Sequence, residues 1–305
     1  MSSYKQINND QKEKLYQVDR DDVPEKTFFF NSPEALEIQF SPWLTTNSGL
    51  KQLSLKTSES FLRLLFSNHS ELRNINPESF CEVVPLSGAL YYSLADAFYN
   101  TFNRAIPQAF LGVRRHYRDN KWVADISYRN IDSIPVEKEP FLLISDTIAT
   151  GSTLFSLLHE IKKEIEPNHI QGIAIFSIAG ALPGIRLLKK MEKMFPKTYI
   201  YSANAIFGLD DNGTDMQWLH KDTITTPEIR NKAIENYGPF LAQHWCNIWD
   251  WGDRGNNPLV YLRDTEEMII RYQQHEDLDT LTQEKLKFFL NKVQNEIKKM
   301  TTPFI

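Results

Sequence analysis

Phe141-Leu142-Leu143-Ile144-Ser145-Asp146-Thr147-Ile148-Ala149-Thr150-Gly151-Ser152-Thr153 is the stretch on which the reading of this chain turns. Its continuous apolar start, Phe141 to Ile144, suits a strand buried on both faces. An acid closes the strand, a turn of small hydroxyl residues follows, and a helix is predicted over 154–165. Ligands of open α/β sheets gather at the carboxyl ends of strands. A helix amino terminus adds free N–H groups and the positive end of its dipole, which suit a phosphate. The hydroxyls of Thr150, Ser152 and Thr153 add hydrogen bonds there, and Gly151 lets the backbone approach closely. Asp146 faces the middle of such a ligand, where a carboxylate accepts bonds from sugar hydroxyls. The stretch is no Walker A loop, because the Gly-Lys-Ser/Thr ending is missing. The plainer alternative is an ordinary capped helix after a core strand.

Outward from this stretch, short apolar runs alternate with longer amphipathic segments. Strands are predicted over 81–86, 109–113, 173–178 and 198–202, and helices over 89–101 and 184–194. Trp122 to Tyr128 alternates as an exposed hairpin arm does, and a helix is predicted after Thr57-Ser58-Glu59, with Thr57 or Ser58 as cap. Repeated β-α-β order favours a Rossmann-like parallel sheet flanked by helices. The expected organisation is a flexible arm over 1–26, an α/β domain over 27–260 and a helical extension over 261–305. Within the domain, 214–249 breaks the rhythm with Trp218, Pro227, Pro239, Trp245 and Trp249 and reads as an inserted lid or hood. A strong carboxy-terminal helix is predicted over 282–299, with Leu286, Phe289, Leu290, Val293 and Ile297 on its apolar face.

Composition narrows the function classes. Thirty-four basic against 39 acidic side chains give a net charge of −5, which argues against a chain-wide nucleic-acid surface. The two cysteines, Cys81 and Cys246, support neither a disulfide framework nor a paired-Cys zinc site, and a reducing cytoplasm is the expected setting. Cys246 reads as a buried thiol, not a nucleophile. No signal peptide or membrane span is expected, and the seven histidines show no metal-ligand spacing.

The Phe141–Thr153 string resembles the phosphoribosyl-diphosphate (PRPP) motif of type I phosphoribosyltransferases, and Ala149-Thr150-Gly151 resembles their uracil branch. Three further segments are similar to that branch in the same order. Leu111-Gly112-Val113-Arg114-Arg115 resembles a strand ending in a PRPP-binding arginine, which falls on Arg115. Tyr201-Ser202-Ala203-Asn204, with Gly208-Leu209-Asp210 and Gly213, resembles the next strand and turn. Asp250-Trp251-Gly252-Asp253-Arg254 resembles the late segment that reads the base and helps hold the diphosphate. The chain also departs from the pattern. The acid pair is Ser145-Asp146, the diphosphate-loop arginine falls on Ser87, an expected aspartate is Ile206, and an alanine of the late motif is Trp251. Gly255-Asn256-Asn257 stands where that branch has Phe-Gly-Thr.

The resemblance implies transfer of a phosphoribosyl group from PRPP to a nucleobase, uracil or a related pyrimidine, by a homodimeric salvage enzyme. It implies Asp146, Arg115 and Asp253 as catalytic residues. Donor-binding residues would be Arg114, Ser87, Gly88, Ser145, Thr147 and the turn Ala149, Thr150, Gly151, Ser152 and Thr153. Base-binding residues would be Asn204, Gly208, Asp250, Trp251, Gly252 and Asp253. Magnesium would arrive mainly on the donor, with no certain direct protein ligand and Asp253 touching it through water. The losses at Ser87, Ser145 and Ile206 keep two alternatives open: a catalytically weak PRPP- or nucleotide-sensing protein, and a same-fold enzyme with a non-nucleobase acceptor.

Overall fold

The apolar run at Phe141 lies inside a nine-stranded sheet in a computed structural model, which describes residues 3–8, 13–86, 88–118, 121–195, 197–248 and 250–303, with Arg115 and Lys121 as backbone only. In chain order the first elements are β1 (Tyr4–Gln6), β2 (Leu15–Val18), β3 (Lys26–Phe30), α1 (Pro33–Phe40) and α2 (Leu50–Asn68). Then come β4 (Phe80–Leu86), α3 (Leu94–Phe102), the hairpin β5 (Gln108–Arg118) and β6 (Lys121–Asn130), β7 (Phe141–Ser145) and α4 (Ser152–Glu164). The next are β8 (Gly172–Ser177), β9 (Gly180–Ala181), α5 (Leu182–Glu192), β10 (Thr198–Ala203) and β11 (Ala205–Leu209). The remainder comprises β12 (Met216–Gln217), β13 (Ile224–Thr225), α6 (Pro227–Tyr237), α7 (Pro239–His244), α8 (Trp251–Asn256), α9 (Pro258–Tyr272) and α10 (Thr280–Thr301).

Among the described residues the sheet runs β1-β2-β3-β10-β8-β7-β4-β5-β6. Every pairing from β3 to β5 is parallel, and antiparallel strands close both edges. The architecture is therefore the expected α/β one. Side-chain alternation explains why β7 is apolar throughout. Phe141 and Leu143 enter the core shared with α1, α2, α3 and the 214–301 region, while Leu142 and Ile144 enter the core under α4 and α5. Chain order reverses beside β4, which has β5 on one side and β7 on the other. The carboxyl ends of β4 and β7 thus flank a crevice.

Two expectations are corrected. Segment 1–26 is no loose arm in its described part. Leu15, Tyr16, Val18 and Val23 are buried, and β2 pairs with β3, covering an edge that would otherwise lie open. Tyr16 stacks on Phe29 at 4.8 Å between ring centroids, and Tyr4 meets both edge-on. The first long helix starts at Leu50, so Thr57 and Ser58 lie in its interior. There the Thr57 hydroxyl donates to the Leu53 carbonyl and Ser58 to Tyr92. Segment 214–249, expected as an inserted lid or hood, is packed as a layer on the domain. Trp218, Ile229, Tyr237, Leu241 and Trp245 share one core with Leu286, Phe289 and Val293 of α10. The carboxy-terminal helix, predicted over 282–299, runs from Thr280 to Thr301.

Candidate functional site

A cleft of about 210 Å³ opens at the carboxyl ends of β4 and β7. Pro85 and Leu86 of β4, Val113 of β5, Asp146 and Thr147 after β7, and Ala149 and Thr153 form one side. Thr214, Met216, Ile248, Asp250, Trp251 and Gly252 form the other, with Gly88 between them. Segments separated by about a hundred residues in sequence therefore face each other across one crevice.

The turn after β7 is shaped by backbone. The Asp146 N–H donates to the Phe176 carbonyl at 3.0 Å, and the Asp146 carboxylate accepts from the Thr147 N–H at 2.8 Å. Ile148 is tied to the neighbouring segment by Ile148 N–H to Ala179 carbonyl, 3.1 Å, and Ala181 N–H to Ile148 carbonyl, 2.6 Å. Gly151 then takes φ +78° and starts α4 with no side-chain cap, so the helix's first N–H groups have no side-chain acceptor. A Cβ on Gly151 would sit 2.7 Å from the Gly184 carbonyl oxygen, and one on Gly184 would collide with the Ala149 carbonyl. Two glycines thus let the turn rest directly on the start of α5. The Thr150 and Ser152 hydroxyls pair at 3.1 Å.

Tyr92 couples this turn to the opposite wall. It is fully buried; its hydroxyl pairs with the Thr147 hydroxyl at 3.2 Å and accepts from the Ile178 N–H at 3.3 Å. Its ring lies 5.2 Å from that of Trp251, whose indole N–H donates to the Gly88 carbonyl at 3.0 Å. Burial pushes the Tyr92 phenol well up, so it stays protonated and serves as a fixed hydrogen-bonding post.

In the late segment, the Asp250 carboxylate caps α8 by accepting from the Asp253 N–H at 3.1 Å. Burial raises its proton affinity, and the nearby Asp253 carboxylate adds to the rise. Arg254 points away from the cleft. It is completely buried, and its guanidinium donates to the carbonyls of Leu44 (2.6 Å), Ser41 (2.6 Å), Ile38 (3.2 Å) and Asn247 (3.3 Å). Those from Ile38 and Ser41 belong to the carboxyl end of α1, where unpaired carbonyls and the negative dipole end favour a cation.

The predicted residues divide accordingly. Asp146, Thr147, Ala149, Thr153, Gly88, Asp250, Trp251 and Gly252 meet at the cleft, and Thr150, Gly151 and Ser152 complete the turn beside it. Asp253 lies one turn into α8, half-buried, outside the cleft lining. Arg114 is exposed on β5 next to Val113. Ser87 and Trp249 lie outside the described residues, as does the side chain of Arg115. Ser145 is corrected: its hydroxyl is fully buried within the sheet, with no partner, and does not reach the cleft. Asn204 is corrected as well. It is fully buried at φ +65°, accepts from the Ser32 N–H, and donates to the Ser32 carbonyl and Gln39, which uses its amide in joining β10 to α1. Gly208 donates its N–H to Thr223 and packs against His220, again away from the cleft. Cys81 and Cys246 are buried thiols pushed up to about 12 by burial, which removes both as nucleophiles. Sequence reading missed Tyr92, Gly184, Thr214, Met216 and Ile248. Of these only Gly184, following Leu182-Pro183 at a helix start, carried a local signal.

Among the described residues no lysine or arginine lines the cleft, and no cluster of three or more His, Cys, Asp or Glu side chains is placed to hold a metal. No described helix is long and apolar enough to cross a membrane.

No family model matches the chain, and no curated protein matches it. Among solved structures the chain is similar to the AQ2163 protein of Aquifex aeolicus, at 22% identity and a TM-score of 0.36, with 46% of this chain and 61% of that one covered. It therefore spans less than two thirds of that protein's length. It is also similar to the hypoxanthine-guanine phosphoribosyl transferase of L. donovani, at 13% identity and TM-score 0.35, covering 61% of this chain and 96% of that one. A third is a hypoxanthine phosphoribosyltransferase of Staphylococcus aureus, at 14% identity and TM-score 0.33, covering 61% of this chain and 91% of that one.

Proposed function

We propose that the chain transfers a phosphoribosyl group from PRPP to a planar nucleobase, uracil or a related pyrimidine. One observation carries this reading: the Asp146–Thr153 turn and the Asp250–Gly252 segment, far apart in sequence, line one crevice where the strand order reverses. In the reaction, the bond from the anomeric carbon to diphosphate breaks, a bond to the acceptor nitrogen forms, and the acceptor N–H proton is released. Positioning and electrostatics do most of the work. The uncapped N–H groups at the start of α4 hold the 5′-phosphate, with Thr150, Ser152 and Thr153 as supporting donors. Asp146 accepts from the ribose hydroxyls and offsets positive charge on the sugar. Asp250, whose proton affinity burial raises, accepts the acceptor's N–H, with Asp253 behind it. Arg114 and Arg115 on β5 are the proposed diphosphate cations. A cleft carboxylate without a protein cage fits a magnesium ion carried on the donor's oxygens, where it would neutralise leaving-group charge, with Asp146, and Asp253 through water, as its protein contacts. The same reading carries a homodimer and a reducing, cytoplasmic setting.

A second reading, a PRPP or nucleotide sensor of low turnover, is favoured by Trp251, a buried bulky residue that narrows the acceptor side. Diphosphate release from PRPP and Mg²⁺ across a panel of nucleobases separates the two. Release with a pyrimidine, lost in Asp146→Asn, is the expected result. Thermal stabilisation by PRPP without release under any base supports the sensor. Neither release nor stabilisation refutes both.

A further inference from the structure

A second cavity, of about 530 Å³, opens at the opposite end of the central sheet. β4 links the two: Phe80 at its start lines this cavity and Leu86 at its end lines the cleft, roughly 20 Å away along the strand. The size is that of a small-molecule site. Its wall is formed by Phe66, Phe80, Phe98 and Phe102, which touch one another with centroids 4.6–5.5 Å apart for neighbouring rings. Phe66 and Phe102 are only half-buried, so aromatic surface faces the opening.

Three guanidinium groups, from Arg63, Arg73 and Arg104, complete the lining, and among the described residues no carboxylate does. Arg63 is paired with Glu13 at 2.6 Å and with the Ser60 hydroxyl. Arg73 uses its Nε on the Phe66 carbonyl at 3.0 Å, which fixes the side chain and leaves its terminal N–H groups over. Arg104 is exposed and makes no hydrogen bond or ion pair among the described residues. An apolar chamber rimmed by the Arg104 guanidinium and the open end of Arg73 is complementary to a molecule with an apolar body and one negative end. Burying the body stabilises in proportion to apolar area, and a guanidinium fork fits a carboxylate.

We propose that this cavity binds a free amphipathic monoanion, an aliphatic or aromatic body ending in a carboxylate. The test uses the full chain with anilinonaphthalene sulfonate as fluorescent probe and octanoate and octanol as competitors. One saturable site is expected, displaced by octanoate, with octanol needing about tenfold more because it lacks the charge. Arg104→Glu should weaken octanoate about tenfold while Arg104→Lys keeps most of the affinity. Ser67→Phe, on an exposed position of α2 that lines the cavity, should fill it and abolish the probe signal, with the melting temperature reporting on the fold. Equal displacement by octanol and octanoate overturns the proposal, as does non-saturable probe binding. So does a probe response indifferent to both Arg104→Glu and Ser67→Phe. Should Ser67→Phe fail to fold, Arg104→Glu decides alone, since that side chain supports nothing else.

Discussion

The two walls of the cleft are made in opposite ways. The Asp146–Thr153 wall is local: one strand end, one tight turn and one helix start, held by backbone hydrogen bonds and a glycine-to-glycine contact. The Asp250–Gly252 wall is assembled at long range. Asp250 caps α8, Trp251 braces the Gly88 loop, and Arg254 is sewn to four carbonyls, three of them between Ile38 and Leu44. The first wall pairs its side-chain hydroxyls within the turn and with Tyr92; the second ties itself to loops and to the end of α1 far away in sequence. A single motif-bearing stretch can therefore look complete in sequence while the surface opposite depends on residues two hundred positions away.

Substitutions in the two walls should separate stability from turnover. The largest effect is expected from Arg254→Met, which strands buried carbonyls and should cost on the order of 3–5 kcal/mol in urea unfolding. A variant that melted like the parent would show that the second wall does not rely on this side chain. Asp146→Asn should behave oppositely. Diphosphate release should fall about 100-fold, equivalent to ~2.7 kcal/mol of barrier, with the melting temperature nearly unchanged.

A third test lies beneath both walls. Glu82 on β4 is buried, accepts from the Ala95 N–H at 3.1 Å and from Gln108 at 2.7 Å, and is nevertheless raised by desolvation to about 7. The folded protein thus keeps a proton that the unfolded chain gives up above its ordinary carboxyl range. The Glu82 contribution to stability is full below that range and declines as pH rises towards about 7. Glu82→Gln should remove that part of the decline, roughly 2 kcal/mol between about pH 5 and about pH 8. Parallel pH profiles for parent and variant would contradict it. The smallest effect is expected from Gly184→Ala, whose methyl group would push the Asp146–Thr153 turn off α5 at about 1–2 kcal/mol. Its signature should be a raised KM for PRPP with a lesser change in kcat. An unaltered KM would mean that the turn does not need this support.

The difference between the walls also explains what the sequence disclosed. β7, the turn and α4 were readable because a continuous apolar run, an acid and a Thr-Gly-Ser turn are all local signals. The edge strands β1 and β2 were not, since Tyr4–Gln6 is largely polar and gains its place only by pairing with Leu15–Val18. The start of helix α2 is masked in the sequence because its hydroxyl residues imitate a cap, whereas in the fold Thr57 and Ser58 bond to carbonyls from inside the helix. Asn204 had the look of a site residue, yet its amide is consumed by Ser32 and Gln39, partners some 170 residues earlier. Tyr92, which couples the two walls, had no local pattern to mark it.

The contact between Gly151 and Gly184 has a consequence for descent. Neither position accepts even a methyl group unless the facing backbone, Gly184 for one and Ala149 to Gly151 for the other, withdraws. A recombination event that imported a new β7–α4 segment would have to bring its own α5 start along. The smallest graft that would carry this turn intact therefore extends past Gly184, well beyond the end of the motif itself.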